Sequence, residues 1–240
     1  MFTVVELMAA SLVAFGAAAL QGSVGFGFAI ISVPVLSLVD PRFAPIPVLI
    51  VTMGLASLSL VRERRHLDFD GVGWIIAGRI PGAVAGAWIL TIVSRRTLSI
   101  VIAGVVVAAV AVLASGTSIA LNRRNRVLAG IVSGFTGASA GIGGPPLALL
   151  YRSAAGGTVR SSLGAIFTVG IAINLVILGV AGAMTLGDWQ AAASIAPAAL
   201  VGFGLSSAVT HRFDGRLLRR SILAVAGLAG ALLLFTSLAG

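Results

Sequence analysis

The chain consists of long apolar runs separated by short polar stretches. The runs are continuous, without the alternation of apolar and polar residues typical of a membrane β-barrel, which favours helices. Residues 100–114, for example, contain only apolar residues and one glycine. The pattern predicts helical segments at residues 3–20, 26–39, 43–61, 71–93, 97–114, 127–134, 145–151, 160–183, 188–209 and 221–239.

The composition places these helices in a membrane. Of the 240 residues, 58% are hydrophobic and 10% are charged, and the mean hydropathy is +1.12. A soluble domain has about 25% charged residues, so the apolar surface of this chain requires lipid around it. We therefore predict an all-α polytopic membrane protein.

Two glycine-rich breaks interrupt the apolar pattern. Residues 133–146 read Ser-Gly-Phe-Thr-Gly-Ala-Ser-Ala-Gly-Ile-Gly-Gly-Pro-Pro, and residues 21–34 are a weaker version with glycines at 22, 25 and 27. Inside a helix, glycine costs roughly 1 kcal/mol and proline about 3 kcal/mol, and in lipid the freed backbone groups must also find partners. We predict that the breaks meet near mid-membrane and form a transport site.

The breaks belong to an internal duplication. A shift of 116 positions aligns Gly25 with Gly141, Gly27 with Gly143, Pro81 with Pro197, Gly86 with Gly202, and Arg96 with Arg212. The order of these matches predicts two repeats, residues 1–117 and residues 118–240, which together form one membrane domain. Each repeat would contain a glycine-broken hairpin and three transmembrane helices.

The arginines predict how the repeats are oriented. If each broken segment crossed the membrane once, the loops would carry 6 arginines on one side and 9 on the other. If each is a hairpin that enters and leaves on one side, Arg42, Arg95 and Arg96 lie on one side of the membrane and the other twelve loop arginines lie on the opposite side. Arg79 lies inside the membrane and is not counted. Cytoplasmic loops are enriched in positive charge, so this arrangement predicts inverted repeats with both termini outside. Residues 127–151 are too few for two crossings, so we expect the arms of that hairpin to reach only the midplane.

The chemistry of the two breaks favours the binding of an anion. A helix that begins inside the membrane directs free N–H groups and the positive end of its dipole at the cavity, and glycine allows a ligand close to the backbone. We expect such helix starts at Phe26 and Pro145. The predicted substrate-binding residues at the tips are Gln21, Ser23, Gly25, Gly27, Thr136, Ser139, Gly141, Gly143, Gly144 and Pro145. For Gly22, Gly86, Gly134 and Gly202 we expect close helix packing instead.

Two polar residues inside predicted helices complete the predicted site. Arg79 is a cation about eight residues inside its helix, with no acidic residue at similar depth. Because intramembrane charges are costly and usually functional, we expect it to pair with an anionic substrate; the alternative is that it snorkels to an interface. Asn174 would contact substrate or form an interhelical hydrogen bond.

Several other functions are not supported. The chain has no cysteine and no cluster of metal ligands or nucleophile–base pair at depth, so we predict no metal, cofactor or enzymatic activity. The net charge of +9 comes from short loops, so we predict no nucleic-acid partner. All seven acidic residues fall near segment ends, which makes a proton relay hard to build. Export of an anion is instead favoured by an inside-negative potential, by about 2.3 kcal/mol per charge per 100 mV.

The paired segments resemble those of the TauE/SafE family of membrane transporters. The similarity is carried by Gln21-Gly-Ser-Val-Gly-Phe-Gly through Pro34 and by residues 137–146, with Arg42 and Arg160 downstream, and it covers essentially the whole chain. The first half departs from the pattern at Phe28-Ala29, where a second pair of small residues is expected. The resemblance implies export of sulfite, sulfonates such as sulfoacetate, or related small anions.

We therefore predict a multi-pass transporter of a bacterial inner membrane that works by alternating access, with the lipid bilayer and a small anion as its partners. A channel or importer for the same anions, and a non-transporting membrane subunit that assembles a partner enzyme, are the alternatives. Homo-oligomer formation is left open by the sequence.

Overall fold

A computed structural model of the protein describes residues 2–206 and 215–239. Those residues form ten α-helices and two 3₁₀ turns, at Pro41–Phe43 and Arg64–His66, and contain no strand. The prediction of an all-helical protein is therefore confirmed. The helices are α1 (Val4–Val24), α2 (Phe28–Val39), α3 (Ile46–Glu63), α4 (Phe69–Ile92), α5 (Arg95–Ala114), α6 (Arg123–Ala140), α7 (Gly144–Leu150), α8 (Gly156–Val180), α9 (Leu186–Gly204) and α10 (Gly215–Ala239).

Five segments are long and apolar enough to cross a membrane, by length and composition. They are Val4–Val24, Pro41–His66, Phe69–Ile92, Arg96–Ala114 and Gly156–Val180. Many of their large apolar side chains point away from the bundle; Val176 is 65% exposed and Trp88 is also 65% exposed. This outward apolar surface is expected of a polytopic membrane protein and confirms that class.

The first glycine break begins later than the sequence predicted. We expected Gly22 to interrupt the helix, but α1 continues through it and ends at Val24, where Gly25 takes a left-handed conformation with φ 92°. Gly141 ends α6 in the same way, with φ 74°. Only glycine adopts this backbone region without a steric cost, so these two positions terminate their helices.

The second hairpin has a longer first arm than expected. Helix α6 begins at Arg123 and not at Val127, because the side chain of Asn122 caps it by accepting a hydrogen bond from Asn125 N at 2.8 Å. The arginines that resembled a loop therefore belong to the first helical turn. With 18 residues, α6 is about 27 Å long, whereas the returning arm, α7, has only seven residues, so the two arms are unequal in length.

The helix ends gather into two polar regions. We call the first the Arg42 end; there the Arg42 guanidinium lies 2.6 Å from the Asp40 carboxylate and 4.0 Å from that of Glu6. Arg96 joins it through hydrogen bonds to the Ser237 and Leu238 carbonyls. We call the other the Glu63 end, where the Glu63 carboxylate accepts from Arg160 Nε at 2.9 Å.

The remaining described arginines outside Arg79 follow this division. Arg126 pairs with Asp68 and Asp70 at 3.1 and 2.8 Å near the start of α4, on the Glu63 side. Helix α5 begins with Arg95 at the Arg42 end. The arginines at the Glu63 end are Arg62, Arg64, Arg65, Arg123, Arg124, Arg126, Arg152 and Arg160. Arg212, and the side chains of Arg216, Arg219 and Arg220, lie outside the described residues.

Helices of the two halves pack in corresponding pairs. The contact of α4 with α6 corresponds to that of α9 with α1, and the contact of α4 with α8 corresponds to that of α9 with α3. The contact of α5 with α7 likewise corresponds to that of α10 with α2. Helix α3 packs on α8 in the antiparallel direction, because Glu63 meets Arg160 while the earlier Ser57 meets the later Thr168 at 3.3 Å. Helices α5 and α10 are antiparallel as well, since Arg96 at the start of one contacts Leu238 at the end of the other.

Glycines set the closest of these contacts. A Cβ added to Gly86 would lie 2.4 Å from the Phe135 carbonyl oxygen of α6, and one on Gly134 would lie 2.3 Å from that of Arg79. A Cβ on Gly202 would meet the Phe15 carbonyl oxygen at 2.1 Å. The expected packing role of these glycines, and of Gly22 against Ser206, is confirmed.

Candidate functional site

A small cavity lies between the two hairpins. A Cβ on Gly144, at the second break, would lie 3.9 Å from the Phe26 ring and 4.0 Å from Ile30 Cδ1, at the first. The prediction that the breaks meet is therefore confirmed. The cavity has a volume of about 20 Å³, which admits one or two water molecules. Its lining is Gln21, Phe26, Gly27, Ala29, Ile30, Leu49, Thr52, Arg79, Gly137, Gly141, Gly143, Gly144, Phe167 and Ile171.

Arg79 supplies the cationic group of this cavity. Helix α4 carries it at mid-length, and the side chain is only 1% exposed, which excludes snorkelling to an interface. Its Nη1 donates to Ser133 Oγ of α6 at 2.5 Å, whereas Nε is buried without a hydrogen-bond partner. Among the described residues no carboxylate lies within ion-pair distance of it. The charge is thus partly hydrogen-bonded but not neutralised by any residue that the structure describes.

Gln21 supplies a second polar group from the last turn of α1. Its Oε1 accepts from Phe28 N at 3.2 Å, which bridges the first break and occupies one N–H at the start of α2. Its Nε2 is buried without a partner. Two buried N–H donors without partners, one on Gln21 and one on Arg79, therefore belong to residues that line the same cavity.

The other first-break residues face neighbouring helices. Ser23 Oγ donates to the carbonyls of Ala19 at 2.9 Å and Ser206 at 3.1 Å, so it joins α1 to the end of α9. Gly25 abuts Arg160, whose Cγ would lie 3.0 Å from an added Cβ. Neither residue lines the cavity, whereas Gly27 does and forms the N-cap of α2.

The second break turns sharply back toward α6. The hydroxyl of Ser133 donates to Gly143 O at 2.6 Å, and Ile142 N donates to Thr136 O at 3.1 Å. Helix α7 then starts at Gly144 with prolines in its first turn, where proline is well tolerated. Because Pro145 and Pro146 have no N–H, this helix start offers fewer free donors than we expected.

Three predicted residues of the second break do not line the cavity. Thr136 Oγ1 and Ser139 Oγ donate to carbonyls one turn back in α6, at 2.9 and 2.7 Å. Pro145 is buried beside the lining. Gly141, Gly143 and Gly144, in contrast, all line it.

Asn174 joins α8 to α6 beside the Arg79 guanidinium. In the amide orientation that satisfies both of its groups, the nitrogen donates to Gly170 O at 3.0 Å and the oxygen accepts from Ala138 N at 3.2 Å. A Cβ on Gly137 would meet this amide at 2.9 Å. Of the two roles weighed from the sequence, the interhelical hydrogen bond is the one present in this structure.

Sequence reasoning missed Ser133 and the apolar wall of the cavity. Ser133 opens the second glycine-rich stretch, but nothing in the stretch indicates its contact with Arg79, 54 positions earlier. Leu49, Thr52, Phe167 and Ile171 come from α3 and α8. Their apolar surroundings are the same as elsewhere in these helices, so no local signal distinguishes them.

Access to the cavity differs at the two ends. At the Arg42 end a vestibule of about 1060 Å³ is lined by Pro45, among others. A Cβ on Gly141 would lie 3.0 Å from Pro45 Cβ, so little more than one layer of residues separates vestibule and cavity. At the Glu63 end, Arg62 Nη2 donates to Gly22 O at 2.5 Å and Nη1 to Ser206 Oγ at 3.3 Å, which closes the first break against α9.

Comparison with known proteins identifies one family. The sequence model of the family described as sulfite exporter TauE/SafE matches residues 10–233, nearly the whole chain. No curated protein and no solved structure matches.

Proposed function

We propose a transport function from the premise that the chain belongs to the sulfite exporter TauE/SafE family. Membership makes it a membrane transport protein for sulfite or organosulfur anions. Beyond this, we propose that it is a secondary transporter that exports sulfite and small sulfonates such as sulfoacetate. The anion would bind in the cavity between the hairpins.

The uncompensated charge of Arg79 carries this proposal. A charge taken out of water costs several kcal/mol unless an opposite charge or hydrogen bonds replace the solvent. Arg79 has one hydrogen bond, from Nη1, and no carboxylate partner within the described residues. An oxyanion in the adjoining cavity would neutralise it and could also accept from Gln21 Nε2. The site therefore suits an anion better than a neutral or cationic solute.

The predicted tip residues take different roles in this proposal. Gln21, Gly27, Arg79, Gly141, Gly143 and Gly144 line the cavity and would surround the anion. Ser23, Gly25, Thr136, Ser139 and Pro145 would hold the hairpin tips in shape, and Asn174 would join α8 to the second tip.

Alternating access is supported by the different closure of the two ends. The structure has a wide vestibule at the Arg42 end and hydrogen-bonded closure by Arg62 at the Glu63 end. A channel would require a continuous path, whereas the cavity here is small and the contact of Gly141 with Pro45 separates it from the vestibule. We propose that this conformation is closed toward the Glu63 end, and that release of the Arg62 and Arg160 contacts opens that end.

We also propose that residues 1–117 and 118–240 are inverted repeats with both termini outside. If the repeats were related by an axis along the membrane normal, corresponding helices would run in the same direction. Helices α3 and α8 correspond to each other, as do α5 and α10, and each pair runs in opposite directions. Arg42, Arg95 and Arg96 lie at one end and the other described loop arginines at the opposite one, which supports a cytoplasmic Glu63 end. Labelling of cysteines introduced at Thr3 and Arg124 tests this; labelling of Thr3→Cys from the cytoplasm contradicts it.

Transport in liposomes tests the function. The wild type should move sulfite and sulfoacetate with saturation, while taurine and sulfate measure selectivity under an imposed potential. Arg79→Ala should lose most of this flux and still insert, because the cavity loses its charge. Arg152→Ala is the matched control, since that half-buried arginine donates to Thr117 O at 3.3 Å and lies outside the cavity lining. Equal sulfite flux in wild type and Arg79→Ala would contradict the proposal, and non-saturating flux would indicate a channel.

A further inference from the structure

Beyond the binding residues themselves, we propose that Ser133 is a positioning residue for the anion site. It would hold the Arg79 guanidinium in a socket formed by three glycines, Gly137, Gly143 and Gly170. This inference rests on the proposed function, because it concerns how the cation of that site is placed. Ser133 does not line the cavity itself.

The hydroxyl of Ser133 forms two hydrogen bonds, one as acceptor and one as donor. It accepts from Arg79 Nη1 and donates to Gly143 O, at 2.5 and 2.6 Å. Ser133 is fully buried, so no water replaces either bond if the hydroxyl is removed. The guanidinium of α4 is thereby connected through one side chain of α6 to the second hairpin tip.

The glycines leave the space that the guanidinium fills. A Cβ on Gly170 would lie 2.1 Å from Arg79 Nε, one on Gly143 would lie 3.2 Å from Nη1, and one on Gly137 would lie 3.4 Å from Nη2. None of the three needs glycine for its backbone, since Gly137 and Gly170 are helical and Gly143 has φ −99°. At Gly170 the requirement is therefore for space beside the charge. The atom nearest to a Cβ on Gly143 is the Ser133 carbonyl oxygen at 2.8 Å, and the atom nearest to one on Gly137 belongs to the Asn174 amide at 2.9 Å.

The contacts of Gly170 separate this role from ordinary helix packing. Glycines between packed helices, such as Gly82, have backbone atoms of the facing helix as their nearest neighbours. At Gly170 all three nearest atoms belong to the Arg79 side chain. Fixing the guanidinium in this way lowers the entropy lost when an anion binds. It also makes the position of the charge depend on the turn at Gly143.

Sulfite transport kinetics in liposomes test this role. Ser133→Ala should raise the KM for sulfite about tenfold, the effect of losing about 1.4 kcal/mol of binding, and leave the maximal rate within about twofold, because Arg79 remains but is no longer held. Ser133→Thr, which keeps the hydroxyl, should restore much of the affinity. Ser37→Ala is the matched control, since Ser37 is also buried and donates only to Val33 O in its own helix.

A second pair of variants tests the socket. Gly170→Ala should also raise the KM for sulfite, because its methyl group displaces Arg79, while Gly54→Ala should not, because nothing lies within 4 Å of a Cβ there. An unchanged KM in Ser133→Ala, or a lower maximal rate at an unchanged KM, overturns the positioning role. If Arg79→Ala loses transport in the same experiment, the proposed function stands without it. If Arg79→Ala transports normally, the anion site itself is wrong.

Discussion

Replacing Gly82 by alanine should force α4 and α6 apart at the level of the cavity. A Cβ on Gly82 would lie 2.1 Å from the Ile131 carbonyl oxygen and 2.9 Å from Phe135 N. Both neighbours are backbone atoms of a helix, so neither can rotate away as a side chain would. The added methyl group must therefore be accommodated by movement of a whole helix.

The size of that movement follows from the contact distances. To extend the contact from 2.1 Å to the 3.4 Å at which ordinary van der Waals contact begins, the helices must separate by about 1.3 Å. If the shift reaches Arg79 and Ser133 in full, their hydrogen bond lengthens from 2.5 Å to about 3.8 Å, beyond bonding distance. Overpacking of this kind costs about 1–3 kcal/mol of stability, or about 2–4 °C in Tm per kcal/mol for a chain of this size.

Thermal unfolding in detergent and sulfite transport in liposomes measure the two effects. Gly82→Ala should lower Tm by several degrees and raise the KM for sulfite. Gly54→Ala is the control; it makes the same change in a helix where nothing lies within 4 Å, and it should be neutral or stabilising because alanine is the better helix former. If the two variants share one Tm and one KM, the glycine contacts do not set the helix spacing and the reasoning is refuted.

Two further predictions concern the ends of the bundle. Arg62→Ala removes the hydrogen bond to Gly22 O and should open the Glu63 end. A single cysteine introduced as Phe26→Cys in this cysteine-free chain should then react faster with a polar reagent added at that end. An unchanged reaction rate would mean that Arg62 does not close the Glu63 end. Thr185→Ala removes the side chain that forms the capping box of α9 with Asp188 and should lower the free energy of unfolding by about 1 kcal/mol, with sulfite transport unchanged; an unchanged unfolding midpoint would show that the cap contributes nothing.

Local chemistry explains which parts of the fold could be predicted. Membrane helices follow from composition, and the break points follow from residues whose effect does not depend on context. Gly25 and Gly141 end helices because a left-handed residue is needed there, and Asp68 begins one by accepting from Gly71 N. At the start of α6 the charges of Arg123 and its neighbours indicate a loop, whereas the Asn122 cap makes these residues helical.

A helical membrane protein with two glycine-broken hairpins and an intramembrane arginine can be predicted from the residues alone. Each of these properties follows from the hydrophobicity or backbone freedom of nearby residues. The residues that surround that arginine become apparent only once the helices are packed. The contacts of Arg79 with Ser133 and Gly170 depend on how closely α4 approaches α6 and α8, and that spacing is set by small residues whose pattern in the sequence does not indicate which helix they face.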